Sequence, residues 1–288
     1  KEAHIILNRS NPSVHSLVSQ LLEKEEYRDV FVTADEALSM IDRRQAVLVV
    51  VDVHRPSFME APELLNEVEK IVVIDHHRRS AETIENPTLM YLEPYASSTS
   101  ELVTEIIQYF DDKVELEAIE ADALLAGITV DTKNFIYKTG VRTFEAASYL
   151  RRAGANPVLV RQLFQDDLET FVARAEVVKN AEIVLPGIAL SYCSSGIKNG
   201  SLIAAQAADS LLTIKGIHTS FVLYPDNGDV IISGRSLGNV NVQMVLEKLG
   251  GGGHLSVAGA QLNDVELDEA KEKVISALKD YLEEGKVK

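Results

Sequence analysis

Two uninterrupted runs of branched apolar residues occur in the first third of the chain. They cover residues 46–54 and 71–77 and consist largely of valine and isoleucine. Such runs are typical of strands that are buried on both faces of a parallel sheet. Segments with the helical spacing of apolar residues precede the two runs, at 34–42 and 61–69. This alternation predicts a doubly wound α/β domain with a mostly parallel sheet.

The pattern changes near residue 182. Strand-like segments at 183–193 and 219–236 flank an alanine-rich helical segment at 201–214, and an amphipathic segment follows at 267–284. An Asp-Asn-Gly tripeptide inside the second strand-like segment is a strong signal for a hairpin turn. Because hairpins pair their strands antiparallel, we expect a smaller α/β domain with a mixed sheet after the doubly wound one.

The domain boundary is expected in helical sequence rather than in a linker rich in proline and glycine. We predict a first domain over residues 1–155, a helical connector over 156–182 and a second domain over 183–288. A chain of 288 residues is long enough for two domains with separate cores.

Composition and charge exclude several classes of protein. The chain has 28 Lys and Arg against 44 Asp and Glu, a formal charge of −16, which argues against binding to long nucleic acids. No apolar run approaches the roughly 18 to 20 residues of a membrane helix, so we expect no direct contact with a membrane. Cys193 is the one cysteine, which rules out a disulfide framework and favours the cytoplasm.

Acidic and histidine side chains follow both valine-rich strands. Asp52 comes after the first strand, and Asp75, His76 and His77 end the second. Ligands of open α/β sheets bind at the carboxyl ends of the strands, so we expect these side chains at one site. Asp131, just after an apolar helical segment, is a further candidate ligand. Carboxylates mixed with imidazoles favour Mn²⁺, Zn²⁺ or Fe²⁺ over Ca²⁺ or Mg²⁺.

Helix capping is the alternative role for each aspartate. For Asp52 alone, capping explains the residue as well as metal binding does. Capping does not explain the adjacent pair His76 and His77. The metal hypothesis is therefore the better explanation of the group as a whole.

A second candidate site combines glycines with an arginine. Gly250 to Gly253 precede His254, and a glycine-rich backbone can form a concave nest of N–H groups around an anion. A flexible loop is the more common reason for such a stretch. Arg235 ends a predicted strand, where its guanidinium is either solvated or placed to bind a phosphate.

Two motifs resemble those of a known family. The sequence VVIDHH at 72–77 resembles the signature of the DHH phosphoesterase superfamily, and GGGGHLSVAG at 250–259 resembles the motif of its associated DHHA1 domain. Four longer runs are similar to the GdpP-type cyclic-di-AMP phosphodiesterases of Gram-positive bacteria. They cover 74–82, 93–107, 203–212 and 233–243.

The resemblance implies two Mn²⁺ ions per active site and hydrolysis of cyclic di-AMP to linear pApA. It assigns Asp52 as the bridging metal ligand, with His76 and Asp131 as ligands of one ion. It also implies that Asp75 and His77 are catalytic. In this assignment Asp75 orients His76, and His77 lies beside the reacting phosphate. Two cations about 4 Å apart can activate a water and stabilise both oxygens of a displacement.

The resemblance also implies a substrate-binding role for the second domain. The residues that it assigns are Arg235, Ser236, Gly251, Gly252, Gly253 and His254. Members of the GdpP type are expected to be homodimers and to be cytoplasmic parts of membrane-anchored proteins. The family's first strand ends in a His-x-x-x-Asp-x-Asp motif, which has no match here, and KEAHIIL at 1–7 resembles the family's second strand. We therefore expect the chain to lack the first strand and helix and to bind a dinuclear metal centre weakly or not at all.

Two other functions stay open at this level. A nuclease of the same superfamily that acts on short linear oligonucleotides would use the same residues. A nucleotide-binding module without catalysis would need only Arg235 and the glycine-rich stretch.

Overall fold

The computed structural model describes residues 3–7, 12–110 and 115–284 of the chain. It divides into two compact units, Lys1–Gln165 and Asp166–Lys288. The division falls inside the stretch predicted as a helical connector. In the described part of the chain, no helix has both the length and the hydropathy that crossing a membrane requires.

Parallel strands form the sheets of the first unit. Two short strands, β1 (Ile5–Ile6) and β2 (Phe31–Val32), pair with each other. A separate three-stranded sheet has the order β3 (Val47–Val51), β4 (Lys70–Asp75) and β5 (Leu89–Leu92), again with parallel pairs. The predicted parallel α/β architecture is confirmed, with two parallel sheets where one was expected.

The two valine-rich strands differ in burial. Val73 of β4 is fully buried, whereas Val47, Val49 and Val51 of β3 are each about half exposed. The prediction of burial on both faces is therefore wrong for β3, which is one of the two edge strands of its sheet. Successive side chains of a strand point to opposite faces, so one face of β3 is exposed while Val50 is buried on the other.

The described residues of the first unit also form six α-helices. These are α1 (Pro12–Leu22), α2 (Ala34–Met40), α3 (Thr99–Phe110), α4 (Ala118–Asp131), α5 (Val141–Arg152) and α6 (Pro157–Leu163). The helix predicted at 61–69 is instead a short 3₁₀ turn, Pro62–Asn66, in which five residues including the proline take helical geometry. Apolar residues of α4 and α5, among them Ile128 and Leu150, form a common buried cluster that fixes the end of α4.

The second unit is built on a six-stranded sheet. Its strands are β6 (Glu182–Leu185), β7 (Ile188–Tyr192), β8 (Thr219–Asp226), β9 (Asp229–Ser236), β10 (Gly252–Gly253) and β11 (Val257–Leu262). Its helices are α7 (Leu168–Lys179), α8 (Gly200–Leu211), α9 (Val242–Glu247) and α10 (Leu267–Glu284). The strand order is β10-β11-β9-β8-β7-β6, and only β7 and β8 pair parallel. The predicted mixed sheet is confirmed.

A tight turn joins β8 to β9 at the predicted tripeptide. Asp226 pairs with Asp229, and the two residues between them, Asn227 and Gly228, have φ values of 51° and 93°. Positive φ at both positions is the requirement of a type I′ hairpin turn, which asparagine and glycine meet at low cost. The turn sets the register that carries Arg235 to the end of β9.

Candidate functional site

The carboxyl ends of β3 and β4 lie side by side. Val51 pairs with Ile74, and the next residue, Asp52, continues the ladder by donating its N–H to the Ile74 carbonyl at 2.9 Å. Asp52 has a φ of 64°, in the left-handed region that residues with a Cβ rarely adopt. Such strain clusters at functional sites, where the surrounding structure imposes it.

His76 lies between two carboxylates. Its Nε2 is 3.6 Å from Asp52 Oδ1 and 3.6 Å from Asp131 Oδ2, although Asp131 is the last residue of α4. Two donors at about 2.1 Å from a shared metal ion are separated by roughly 3.4 Å when the coordination is tetrahedral. His76 is therefore spaced from each of the two carboxylates much as two ligands of one ion are.

His77 extends this cluster toward solvent. Ligand atoms of Asp52, His76 and His77 all lie within 4.8 Å of one another. The two imidazole rings meet edge to face, with centroids 4.6 Å apart, and His77 is 58% exposed while His76 is nearly buried. This mixed nitrogen and oxygen set suits a transition-metal ion.

Asp75 is fully buried and holds two histidines. Its Oδ1 accepts hydrogen bonds from His77 Nδ1 at 2.7 Å and from the His77 backbone N–H at 3.1 Å. Its Oδ2 accepts one from His54 Nδ1 at 2.5 Å. The expected pairing of Asp75 with His76 is not present. Neighbouring side chains of an extended chain point to opposite sides, so His77, two positions after Asp75, lies on the same side as Asp75 and His76 does not.

His54 is the second histidine that contacts Asp75, and its position in the sequence did not indicate a role for it. It is 1% exposed, and its Nε2 accepts the Ser80 N–H at 3.3 Å while its carbonyl accepts the Ile84 N–H at 2.8 Å. These contacts fix the imidazole against Asp75. The only sequence signal for it was a histidine two residues after Asp52.

Burial, hydrogen bonds and charges within the cluster shift the pKa values of Asp75, His77 and Asp131. Burial raises the pKa of Asp75, but hydrogen bonds from His77 and His54 outweigh burial and hold this pKa well below its usual range. The hydrogen bond to Asp75 raises the pKa of His77. Burial, helped by the charge of Asp52, raises the pKa of Asp131, while His76 opposes the rise. His77 therefore favours its protonated form more than a free imidazole does.

A buried glutamate of α3 supports the segment beside His76. Glu101 is 1% exposed, and its Oε2 accepts hydrogen bonds from Ser97 Oγ at 2.5 Å and Thr143 Oγ1 at 2.7 Å. Ala96, the residue before Ser97, has its carbonyl oxygen 3.4 Å from His76 Nδ1. Glu101 thus ties α3 and α5 to the loop behind the cluster, a link across the fold that no local sequence pattern reveals.

In the second unit, the predicted substrate residues of β9 already have partners. Arg235 Nε donates to Asp209 Oδ2 at 3.1 Å. Ser236 Oγ is buried and accepts the N–H groups of Gly238 at 3.0 Å and Val240 at 3.3 Å. Ser236 therefore holds the turn after β9, and the guanidinium of Arg235 is largely buried rather than solvated.

The glycine-rich stretch is an exposed strand pair. Gly252 pairs with Gly259, and Gly253, with a φ of 147°, pairs with Ala258. A Cβ on Gly251 would overlap the Gly259 carbonyl oxygen and one on Gly253 would overlap Ala258, whereas nothing lies within 4 Å of a Cβ on Gly252. Close backbone approach explains two of the glycines, and Gly252 faces open space.

His254 lies at the tip of this hairpin. It is exposed, and its N–H donates to the Val257 carbonyl at 2.7 Å. The hairpin β10–β11 is next to β9 in the sheet, with Val257 opposite Arg235. The predicted residues of the second unit therefore lie on or beside β9 and β10, which are separated by β11.

Family models match both units. The model of the DHH family, N-terminal domain, matches residues 4–128, and the DHHA1 domain matches residues 187–284. The chain belongs to the DHH family. The signature for which the family is named is here Asp75-His76-His77, the buried carboxylate and the two histidines described above.

This DHH-family chain is also similar to curated proteins. It is 46% identical over 288 residues to the cyclic-di-AMP phosphodiesterase PdeA of Listeria monocytogenes, covering 98% of this chain and 43% of that protein. It is 45% identical over 289 residues to the cyclic-di-AMP phosphodiesterase GdpP of Geobacillus thermodenitrificans, covering 99% and 44%. The chain thus spans less than half the length of these relatives.

A solved structure shares the fold. An exopolyphosphatase-related protein from Bacteroides fragilis matches with a TM-score of 0.77 and 20% identity, covering 96% of this chain and 83% of that one. At this identity the likeness concerns the fold alone.

Proposed function

We propose that this DHH-family chain is the catalytic module of a metal-dependent phosphodiesterase that hydrolyses cyclic di-AMP to linear pApA. The observation that carries the proposal is the convergence of Asp52, His76 and His77 at one sheet edge, with Asp131 reaching His76 from the end of α4. The names of the relatives, cyclic-di-AMP phosphodiesterases, support the choice of substrate.

The metal that we propose is Mn²⁺, held by Asp52, His76 and Asp131. Their donor set combines one imidazole with two carboxylates and fits Mn²⁺ better than Ca²⁺. When bound, such an ion lowers the pKa of a water molecule and withdraws negative charge from a phosphodiester. These three donors account for one ion, and binding of a second ion with similar affinity would need further ligands.

The chain's own proton donor in this proposal is His77. The hydrogen bond to Asp75 raises the pKa of His77, which favours the protonated imidazole, and it fixes the ring through Nδ1, so that Nε2 is not used in this contact. A protonated Nε2 can give its proton to the oxygen that leaves phosphorus. Asp75 in turn keeps its charge because His54 and His77 both donate to it.

The second unit is proposed to bind the rest of the nucleotide. We assign this binding to the exposed residues Gly252, Gly253 and His254 and to Arg235 of β9, whose guanidinium would exchange its contact with Asp209 for a phosphate. Ser236 and Gly251 shape these segments from within. Resemblance to GdpP-type proteins also supports a homodimer on the cytoplasmic side of a membrane-anchored protein.

The test is product analysis with two substrates. The chain is incubated with Mn²⁺ and either cyclic di-AMP or pApA, and the products are separated by chromatography. Conversion of cyclic di-AMP to pApA, lost in Asp52→Asn, supports the proposal. Faster cleavage of pApA than of the cyclic substrate indicates an oligonucleotide nuclease instead. Nucleotide binding without turnover of either substrate indicates a binding module.

A further inference from the structure

Two arginines directly follow the exposed histidine of the candidate metal cluster. Arg78 and Arg79 come next to His77 in the chain, and both side chains are exposed. Consecutive Cα atoms across a trans peptide are about 3.8 Å apart, so the Arg78 backbone lies beside a member of the cluster. Within the part of the chain that the structure describes, neither guanidinium has a hydrogen bond or an ion pair. Both cations are therefore available to a ligand that binds at this edge of the sheet.

Hydrogen bonds fix the backbone on both sides of this pair, in a segment of residues 77–82 that we call the arginine loop. At its start, the His77 backbone N–H donates to Asp75 Oδ1 at 3.1 Å. Directly after the pair, the Ser80 N–H donates to His54 Nε2 at 3.3 Å. Because Asp75 and His54 are buried and hydrogen-bonded to each other, the backbone of the two arginines is held against the buried side of the cluster.

Glu82 fixes the far end of the arginine loop. Its Oε1 accepts the Ser57 backbone N–H at 2.8 Å, and its Oε2 accepts the Ser57 hydroxyl at 2.7 Å. Arg55 Nε lies 3.6 Å from Glu82 Oε2, and the Arg55 guanidinium lies 4.1 Å from the centroid of the Phe58 ring. Glu82 is the one carboxylate of the loop, and these partners occupy it rather than the arginine pair. A loop fixed at both ends can present its side chains at a defined position.

The charge balance around the pair points to an anionic ligand. Asp52 and Asp131 each have a carboxylate oxygen 3.6 Å from His76 Nε2, and the whole chain has a net charge of −16. An anion that approaches this edge is repelled unless cations lie at the point of approach. A guanidinium is charged at every physiological pH and donates two parallel N–H bonds that match the oxygens of a phosphate. Two adjacent guanidinium groups without protein partners therefore fit a phosphate group.

We propose that Arg78 and Arg79 are substrate-binding residues, which bind the phosphate group of the dinucleotide that lies at the cluster. The inference rests on the proposed function and adds to it a pair of cations from the first unit that position the substrate. Because the charge of a guanidinium does not depend on a metal ion, the pair should contribute to nucleotide binding both with and without Mn²⁺.

The experiment measures binding of pApA to the chain by calorimetry, once with Mn²⁺ and once with a chelator. The test variant combines Arg78→Gln with Arg79→Gln, and we expect its affinity to be about tenfold weaker or more, the size of one charge-assisted hydrogen bond. A variant that combines Arg78→Lys with Arg79→Lys keeps the charge but loses the fork of parallel donors. It should recover the affinity only in part.

The matched control combines Arg43→Gln with Arg44→Gln, which removes the same charge from two other adjacent and exposed arginines. These precede β3, whose five residues, at about 3.3 Å each, separate them from Asp52. That distance exceeds the Debye length of about 8 Å at physiological salt, so the control should change the affinity little. Equal weakening by both glutamine pairs would mean that only the net charge matters, and the proposal is overturned.

A Mn²⁺ titration of the same variants separates nucleotide binding from support of the cluster. Loss of two nearby cations should leave Mn²⁺ affinity unchanged or slightly raised. If Arg78→Gln with Arg79→Gln instead weakens Mn²⁺ and loses pApA affinity only when Mn²⁺ is present, the pair supports the cluster and the proposal is overturned. Wild-type turnover of cyclic di-AMP with unchanged pApA affinity in that variant defeats this inference while the proposed function stands. Absence of both nucleotide binding and turnover in the wild type defeats the proposed function and this inference together.

Discussion

At the carboxyl edge of β4 the side chains of His54, Asp75 and His76 are buried and have polar partners, whereas strand β10 of the β10–β11 hairpin is exposed and consists of two glycines. Asp75 has defined partners for both of its oxygens, and His76 touches two carboxylates from separate elements. Gly251 and Gly253 are explained by the strand pairing of the hairpin itself. Burial of charged groups, which is costly, therefore indicates chemistry more reliably than a run of glycines does.

The largest expected effect would come from Asp52→Asn. Asparagine tolerates the left-handed backbone as well as aspartate, so the fold should be unchanged while one ligand charge is lost. Loss of a residue that only hydrogen-bonds to a metal ligand lowers metal affinity roughly 10- to 100-fold. Because Asp52 is itself a proposed ligand, the Mn²⁺ affinity should fall by more than this. Calorimetry measures it, with the exposed Asp35→Asn of α2 as control. Unchanged Mn²⁺ binding would show that the cluster is not the metal site, and the contrast between the two regions would disappear.

Glu101→Ala tests whether the buried network behind the cluster is needed for stability. The substitution leaves the hydroxyls of Ser97 and Thr143 without their acceptor, so the free energy of unfolding should fall by about 2 kcal/mol or more. Urea denaturation measures the loss, and the exposed Glu145→Ala of α5 should change stability by less than about 0.5 kcal/mol. Equal effects of the two variants would mean that burial of Glu101 has no special energetic role.

A matched pair of glycines tests the other region. Gly253→Ala forces a Cβ onto Ala258 at a φ of 147° and should destabilise the second unit by about 2 kcal/mol. Gly252→Ala meets open space and should leave thermal stability within about 0.5 kcal/mol while lowering nucleotide affinity. Thermal unfolding and nucleotide titration measure the two effects. Normal nucleotide affinity in Gly252→Ala would remove this face of the hairpin from the proposed site.

The smallest expected effect is a pH dependence of stability from His77. Its pKa is raised in the folded chain, so the stability contributed by the charged pair with Asp75 is fully present below about pH 6.5. It is lost as the pH rises through the raised pKa. Melting temperatures of the metal-free wild type and His77→Gln should therefore differ most in acid and converge in mild alkali. A difference that grows with pH would contradict the hydrogen-bonded pair.

Local patterns were sufficient for the main strands of both units, but not for the division of the first unit into two parallel sheets or for the 3₁₀ turn at Pro62–Asn66. Hydrophobic periodicity and turn preferences, which act over a few residues, predict the valine-rich strands that run up to Asp52 and Asp75, the Asp-Asn-Gly hairpin and the mixed second sheet. The placement of Cys193 in an apolar strand region also agrees with its burial, which raises the pKa of its thiol to about 12. The exposure of one face of β3 could not be predicted from the local sequence, because it depends on which elements pack against the sheet.

The sequence by itself determined which residue types would meet at the sheet edge, since parallel strands end at a common edge. Only the tertiary structure decided that His54 binds the second oxygen of Asp75, and that Asp131 reaches His76 from the end of α4. It also decided that the Ser236 hydroxyl is used inside its own turn. These pairings depend on the direction of individual side chains and on contacts between residues far apart in the chain, which hydrophobic periodicity does not encode.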